Sequence, residues 1–324
     1  MNIMQKARFG HDAFNRIKNR QVRGASAIAV YAIETMKQYI ENLESTLTPT
    51  EFKDRVIELG SYLKSARPTT ISLPNSINTI LVPIIQSHEL GQPVEEMRET
   101  ALHALNHYLE LSKGAISKIG ELGSKRIRNG DVILTHSNSA AALSIIKTAH
   151  SEGKDPRVIC TETRPQRQGY TTAQDLCASG IDTTMIVDSC VRFVMDDVDK
   201  VVFGADAVSV NGAVVSKIGG SQIATLAHES RVKVLVACET SKFDPNSIWG
   251  NLLKIEERDP AEVVQRELLG DHPNLRIRNP QFDITPPEYI DLLVTERGLI
   301  PPGGVYGIMN QLFSQHMKYF GTNS

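Results

Sequence analysis

The sequence predicts an α/β protein, with a helical N-terminal domain followed by a domain built on a parallel sheet. Three observations carry this prediction. The first third of the chain has helical periodicity throughout. After Gly130, short apolar runs rich in β-branched residues alternate with helical segments. Asn129-Gly130, two residues that tolerate left-handed backbone, stand between the two regimes. Alternating strand and helix implies parallel strands covered by helices on both faces. The division is therefore placed at 128/129, with a helical domain over 1–128 and an α/β domain over 129–324.

Along the helical part, Ile28, Ala32, Met36, Tyr39 and Ile40 share one face. Thr48-Pro49-Thr50-Glu51 is a capping box with proline at the first helical position, so a second helix starts there. It stops before Arg67-Pro68, because proline disfavours helical backbone in its predecessor. A third helical stretch opens at Pro93 and runs toward Arg128, weakened in its later turns by Gly114, Gly120 and Gly123. Strands are expected at 131–135, 157–162, 183–188, 200–206, 232–239 and 291–295, with helical patterns between most of them.

Composition narrows the function. The 324 residues are 41% hydrophobic and 22% charged, which supports a packed core and argues against disorder. A net charge of -2 without any basic stripe argues against nucleic acid as the main partner. Cys160, Cys177, Cys190 and Cys238 form no CxxC pair, so neither a zinc knuckle nor a disulfide framework is expected. The opening residues lack the apolar core of a signal peptide, and no apolar run is as long as a membrane span. The expectation is a protein of the reducing cytoplasm.

In parallel sheets of this kind, ligands bind outside the carboxyl ends of the strands. Polar groups follow each early strand: Thr135-His136-Ser137-Asn138-Ser139, Thr161-Glu162-Thr163-Arg164-Pro165, Asp188-Ser189-Cys190, Asp206, and Glu239-Thr240-Ser241-Lys242. Ser216-Lys217-Ile218-Gly219-Gly220-Ser221 precedes a helical stretch over 222–229. Two glycines there let backbone N–H groups approach an anion, and a helix N-terminus favours negative charge. Lys217 adds a point charge. There is no Walker A lysine motif and no G-x-G-x-x-G, so neither a nucleoside triphosphate nor a dinucleotide is indicated. Arg23-Gly24-Ala25-Ser26 precedes a helix start that can hold a second phosphate, and Arg67 follows a helix. From spacing alone, each arginine reads as a solvated surface charge. His136 reads as a hydrogen-bonded structural histidine, since no His/Asp/Glu cluster has ligand spacing; no metal site is expected.

Taken together, Thr-His-Ser-x-Ser at 135–139, Thr-Glu-Thr-Arg-Pro at 161–165, Gly-Ala-Asp at 204–206, Asn-Gly-Ala-Val-x-x-Lys-Ile-Gly at 211–219 and Asn-Pro-x-Phe-Asp-x-Thr-Pro at 279–286 resemble one superfamily. It comprises the regulatory subunits of translation initiation factor 2B, methylthioribose-1-phosphate isomerases and archaeal ribose 1,5-bisphosphate isomerases. The similarity is greatest to the last branch. It extends over nearly the whole chain, including Arg23-Gly24-Ala25 and Arg67-Pro68-Thr69 with Ser72-Leu73-Pro74-Asn75. The resemblance implies a Rossmann-like second domain and a homodimer or higher homo-oligomer. It implies conversion of ribose 1,5-bisphosphate to ribulose 1,5-bisphosphate in nucleoside and AMP degradation, without a cofactor. The alternative it leaves open is a non-catalytic sugar-phosphate-binding protein related to the translation-factor subunits. By position, it implies substrate contacts from Arg23, Gly24, Ala25, Ser26, Arg67, Ser139, Ala140, Ala141, Ser216, Lys217 and Lys242, and a catalytic role for Asp206.

One position departs from the pattern. The isomerase branches place a catalytic cysteine where this sequence has Ser137, as in the translation-factor-related branch. Gly204-Ala205-Asp206 resembles the isomerases instead, since many translation-factor subunits have Gly-Ala-Glu. The segment 135–140 lacks the Cys-Asn-Ala-Gly of the methylthioribose branch.

The implied chemistry sets requirements. A furanose phosphorylated on its anomeric oxygen cannot open as a free sugar does. A general acid must protonate the ring oxygen, and hydrogen must move between C2 and C1. A free aspartate has a pKa of about 3.9, so Asp206 serves as acid only if burial and nearby phosphates raise it. A thiol starts near ~8.5 and can be tuned to act as base. A serine hydroxyl in its place needs a neighbouring base. His136 adjoins Ser137, but successive side chains on a strand point to opposite faces. Cys190, at the expected start of a helix, is a candidate to supply the thiolate; an inert helix residue is the alternative.

Overall fold

The computed structural model describes residues 3–19, 21–22, 24–250, 255–265, 272 and 274–320. The chain forms two compact units, one running up to Gly114 and completed by residues from Met309 onward, the other Ala115–Ile308. The division expected at 128/129 therefore lies past the one observed. The cause is a single helix, α5 (Val94–Ser124), which continues through its glycines. A Cβ at Gly120 would collide with Ser144 Oγ, and one at Gly123 with Ile145. These glycines let the last turns of α5 press against a helix of the α/β unit, so they mark packing rather than weakness.

The helical unit holds α1 (Ile3–Lys18), α2 (Ala25–Glu41), α3 (Pro49–Ser65), α4 (Ser72–Glu89) and the first part of α5. The capping box forms as expected: Glu51 N–H donates to Thr48 Oγ1, and Thr48 N–H to Glu51 Oε2 at 2.8 Å. The helix ends at Ser65, before Arg67-Pro68. Helix α4 was not separated in advance from the general helical pattern, and it accommodates Pro83 in its interior. Its apolar face still buries Leu73, Ile77, Ile80 and Leu81 against Met36, Ile40, Phe52 and Val56.

The second unit contains β1 (Val132–Thr135), α6 (Ala140–Ser151), β2 (Arg157–Thr161), α7 (Gln168–Ala178), β3 (Thr183–Ile186), α8 (Val191–Val194) and β4 (Lys200–Gly204). It continues with β5 (Ala207–Val208), β6 (Val214–Lys217), α9 (Gly220–Glu229), β7 (Lys233–Ala237), β8 (Phe282–Thr285), β9 (Leu292–Thr295) and β10 (Gly298–Ile300). The last helix, α10 (Val305–Phe320), carries the chain back to the helical unit. The main sheet has seven strands in the order β10-β9-β7-β4-β1-β2-β3. Its pairs are parallel except β9–β10. The chain winds outward from β1 in one direction and from β4 in the other, so the order reverses between those two strands. That is the Rossmann-like switch point, where open sheets of this class bind ligands.

All six expected strands are present, each slightly shorter than expected. The run 200–206 shows why: β4 ends at Gly204, and Asp206 turns its N–H to Val215 O at 2.8 Å. Val215 belongs to a second, three-stranded antiparallel sheet, β5-β6-β8, which the sequence did not reveal. Asp206 thus stands where the chain leaves one sheet for the other. Among the described residues, no helix is long and apolar enough to cross a membrane.

Candidate active site

The end of β1 is fixed by His136. Its ring is buried, with Nε2 2.9 Å from the Ile218 carbonyl and Nδ1 2.6 Å from Thr161 Oγ1. A carbonyl can only accept, so Nε2 carries the hydrogen and Nδ1 accepts from the Thr161 hydroxyl. Burial holds the imidazole below its ordinary pKa, more strongly than the Ile218 carbonyl raises it. The ring is a neutral strut between β2 and the loop before α9.

Ser137 follows with φ of 64°. That left-handed turn ends the strand alternation used to separate it from His136, but the two remain apart because His136 is already engaged. Ser137 N–H donates to Thr163 Oγ1 at 2.9 Å, and its hydroxyl to Gln168 Oε1 at 2.9 Å. Its carbonyl accepts from Thr172 Oγ1 at 2.7 Å. An amide oxygen cannot take up the hydroxyl proton, so Ser137 is positioned without being activated as a base. Ser139 caps α6, its Oγ accepting from Ala142 N–H at 3.3 Å. Gly204 at the end of β4 makes room for it, since a Cβ there would collide with the Ser139 side chain. The segment Ser139-Ala140-Ala141 is thereby seated at the switch point. Ala141 is buried and Ala140 exposed.

Cys190 does not occupy the setting expected of it. It lies in the short 3₁₀ turn Asp188–Cys190 ahead of α8, a helix of 4 residues. So short a helix lacks the aligned dipoles on which a terminal field depends. Cys160 and Cys238 are buried, and desolvation pushes their thiols up to about 11 and about 12. Neither is a thiolate near neutral pH.

On the other side of the switch point, β7 leads into a turn that carries Lys242. Its ammonium is buried and lies 3.0 Å from Glu239 Oε2. Burial works against that charge, but the attractions of Glu239 and then Asp206 outweigh it, and Lys242 holds its proton more tightly than usual. Lys217 is also buried, with Nζ 3.4 Å from Gln166 Oε1.

The expected anion cradle differs from the one observed. Gly219 N–H donates to Asp283 Oδ2 at 2.7 Å, and Ser221 N–H to Asp283 Oδ1 at 3.1 Å. The chain's own carboxylate thus sits on these N-terminal groups of α9. Burial raises the Asp283 carboxyl, against the pull of the two N–H groups. Those two N–H groups are therefore occupied, and the polar side chains left at this strand end are Ser216 and Lys217. Asp283 was missed because only the β6–β8 pairing brings it opposite Ser216; no local spacing links the two.

In the helical unit, Arg23 lies outside the described residues. Gly24 is the N-cap residue of α2, without a side-chain cap, and its carbonyl accepts from Ile28 N–H at 3.0 Å. Ser72 Oγ donates to the Ala25 carbonyl at 3.0 Å, which ties the Gly24-Ala25-Ser26 segment to the first turn of α4. Ser26 and Arg67 are half-buried, so Arg67 is not the solvated charge that spacing alone suggested.

The doubly wound sheet and the polar strand ends flanking its switch point define the class. The chain belongs to the Initiation factor 2 subunit family, which matches residues 21–302. It is 47% identical over 310 residues to the ribose 1,5-bisphosphate isomerase of Methanocaldococcus jannaschii, covering 96% of this chain and 95% of that one. The corresponding isomerase of Pyrococcus furiosus is 43% identical over 305 residues, covering 94% of each. Among solved structures, translation initiation factor eIF-2B of Pyrococcus horikoshii aligns with a TM-score of 0.74 at 30% identity, covering 90% of this chain and 97% of that one.

Proposed function

We propose that this protein is an aldose–ketose isomerase that converts ribose 1,5-bisphosphate to ribulose 1,5-bisphosphate. One observation carries the reading. Asp206, just past β4, and the buried ammonium of Lys242, just past the neighbouring β7, lie on one side of the switch point of a chain 47% identical to a ribose 1,5-bisphosphate isomerase along nearly its full length. Lys217 and Lys242 supply positive charge for phosphate, and Ser216 and the start of α6 at Ser139 supply polar contacts. Arg23, Arg67 and the segment Gly24-Ala25-Ser26 are assigned to the other phosphate on their positions in the family motifs.

In this reading Asp206 donates a proton to the ring oxygen, and the C1–O4 bond breaks. The cation left at C1 is stabilised by its phosphoryl oxygen. A hydride then moves from C2 to C1, and the C2 hydroxyl loses its proton to give the ketone. This route suits Ser137, whose hydroxyl has only an amide oxygen to donate to and so needs no role as base. In D2O it leaves C1 free of solvent deuterium; label at C1 would require an enol route instead. Asp206→Asn tests the assignment: it retains bisphosphate binding and loses turnover, because an amide keeps the shape and delivers no proton. Full activity in that variant removes Asp206 from the mechanism.

The replacement of the expected cysteine by Ser137 is the one observation that favours a second reading, a non-catalytic sugar-phosphate-binding protein. Binding without turnover separates the two. A homo-oligomer in the cytoplasm is proposed on the same family grounds, supported by the absence of a membrane-crossing helix among the described residues.

A further inference from the structure

The strand end after β7 holds a buried charge cluster that the reaction above uses only in part. Glu239 and Lys242 are 6% and 8% exposed, and the 3₁₀ turn Thr240–Lys242 sets them three residues apart with Nζ 3.0 Å from Oε2. The same ammonium is attracted by Asp206. Two carboxylates therefore share one cation in a setting where an uncompensated charge is costly. Other ionisable groups of the neighbouring elements have partners of their own. The Cys238 thiol is held neutral by burial. Glu296, at the end of β9, accepts the Thr240 N–H at 3.0 Å and the Thr240 hydroxyl. Lys217, on the strand whose Val215 bonds the Asp206 backbone, is turned to Gln166.

We propose that Glu239 is a positioning residue that engages the Lys242 ammonium, leaving Asp206 as the carboxylate that carries the proton. This rests on the reading of Asp206 as proton donor. A cation facing a lone carboxylate favours its ionised form, whereas a cation already neutralised by a second carboxylate does so far less. Glu239 is then what allows an acid and a phosphate-binding lysine to share one pocket.

The test is the pH dependence of turnover. In Glu239→Gln the shape is kept, Lys242 faces Asp206 alone, and the proton is lost from Asp206 at lower pH. The basic limb of the kcat profile moves down by roughly one to two pH units, with activity recovered on the acid side. Glu239→Asp keeps the charge and holds the limb near its native position. Lys242→Met moves the limb the opposite way, which keeps the proposal testable should Glu239→Gln fail to fold. A structural role alone lowers turnover evenly across pH. If Asp206→Asn is inactive and the limb stays in place in both Glu239→Gln and Lys242→Met, this inference is overturned by itself. Absence of native turnover, or native-like turnover in Asp206→Asn, removes the underlying reading and this inference with it.

Discussion

Ser137 and its neighbours show where local chemistry is legible in a sequence and where it is not. The structural role of His136 followed from the lack of any ligand-spaced cluster, and the ring is found bridging Thr161 and Ile218. The left-handed backbone of Ser137 could not be anticipated, because serine carries no preference for it. Its consequence is a hydroxyl tied to Gln168 instead of a base. If the reaction gains from a thiolate at this position, Ser137→Cys raises kcat in a bisphosphate turnover assay without tightening binding; unchanged kcat there supports the hydride route. His316 makes a separate prediction. Burial lowers its pKa from 6.5 to about 4, so it stays neutral in the folded chain while the unfolded chain takes up a proton. Its contribution to stability is intact above pH 6.5 and is lost as pH falls toward 4, an effect on the order of 3 kcal/mol. Thermal melts across that window should show the loss, and His316→Gln should flatten it.

At the scale of elements, the parallel strands were legible because most are short, largely buried apolar runs, and the exposed edge strand β3 is rich in β-branched residues. The strands β5, β6, β8 and β10 were not, because they are short, mostly antiparallel, and bounded by residues that read as turns, such as Asn211-Gly212 and Pro286-Pro287. Their pairing matters to the site: it brings Asp283 onto α9 and places Ser216 and Lys217. Asp283→Ala strips the Gly219 and Ser221 N–H groups of a charged acceptor, and should cost about 2 kcal/mol in chemical denaturation. It should also raise KM by loosening the strand end that carries Lys217. The capping box was legible in full, and Thr48→Ala should cost about 1 kcal/mol without changing KM.

Across the whole molecule, the α/β class, the helical N-terminal region and the mostly parallel sheet were anticipated. The division expected at 128/129 falls later than the observed one, because the last turns of α5 pack on α6 through Gly120 and Gly123 and so belong with the α/β unit. Within the α/β unit the candidate residues come from the ends of several strands far apart in sequence, so no single segment announces them. Ribose 1,5-bisphosphate should raise the melting temperature, as any ligand of the native state does, and Lys217→Ala should abolish the rise. No shift at millimolar ligand would remove the sugar-phosphate reading altogether.

The most direct measurement follows the carbon skeleton of ribose 1,5-bisphosphate by NMR in the presence of the purified protein. The account predicts loss of the anomeric C1 signal and appearance of a C2 ketone with both phosphates retained, and no conversion by Asp206→Asn. A protein that is stabilised by the bisphosphate yet leaves its skeleton unchanged would contradict it.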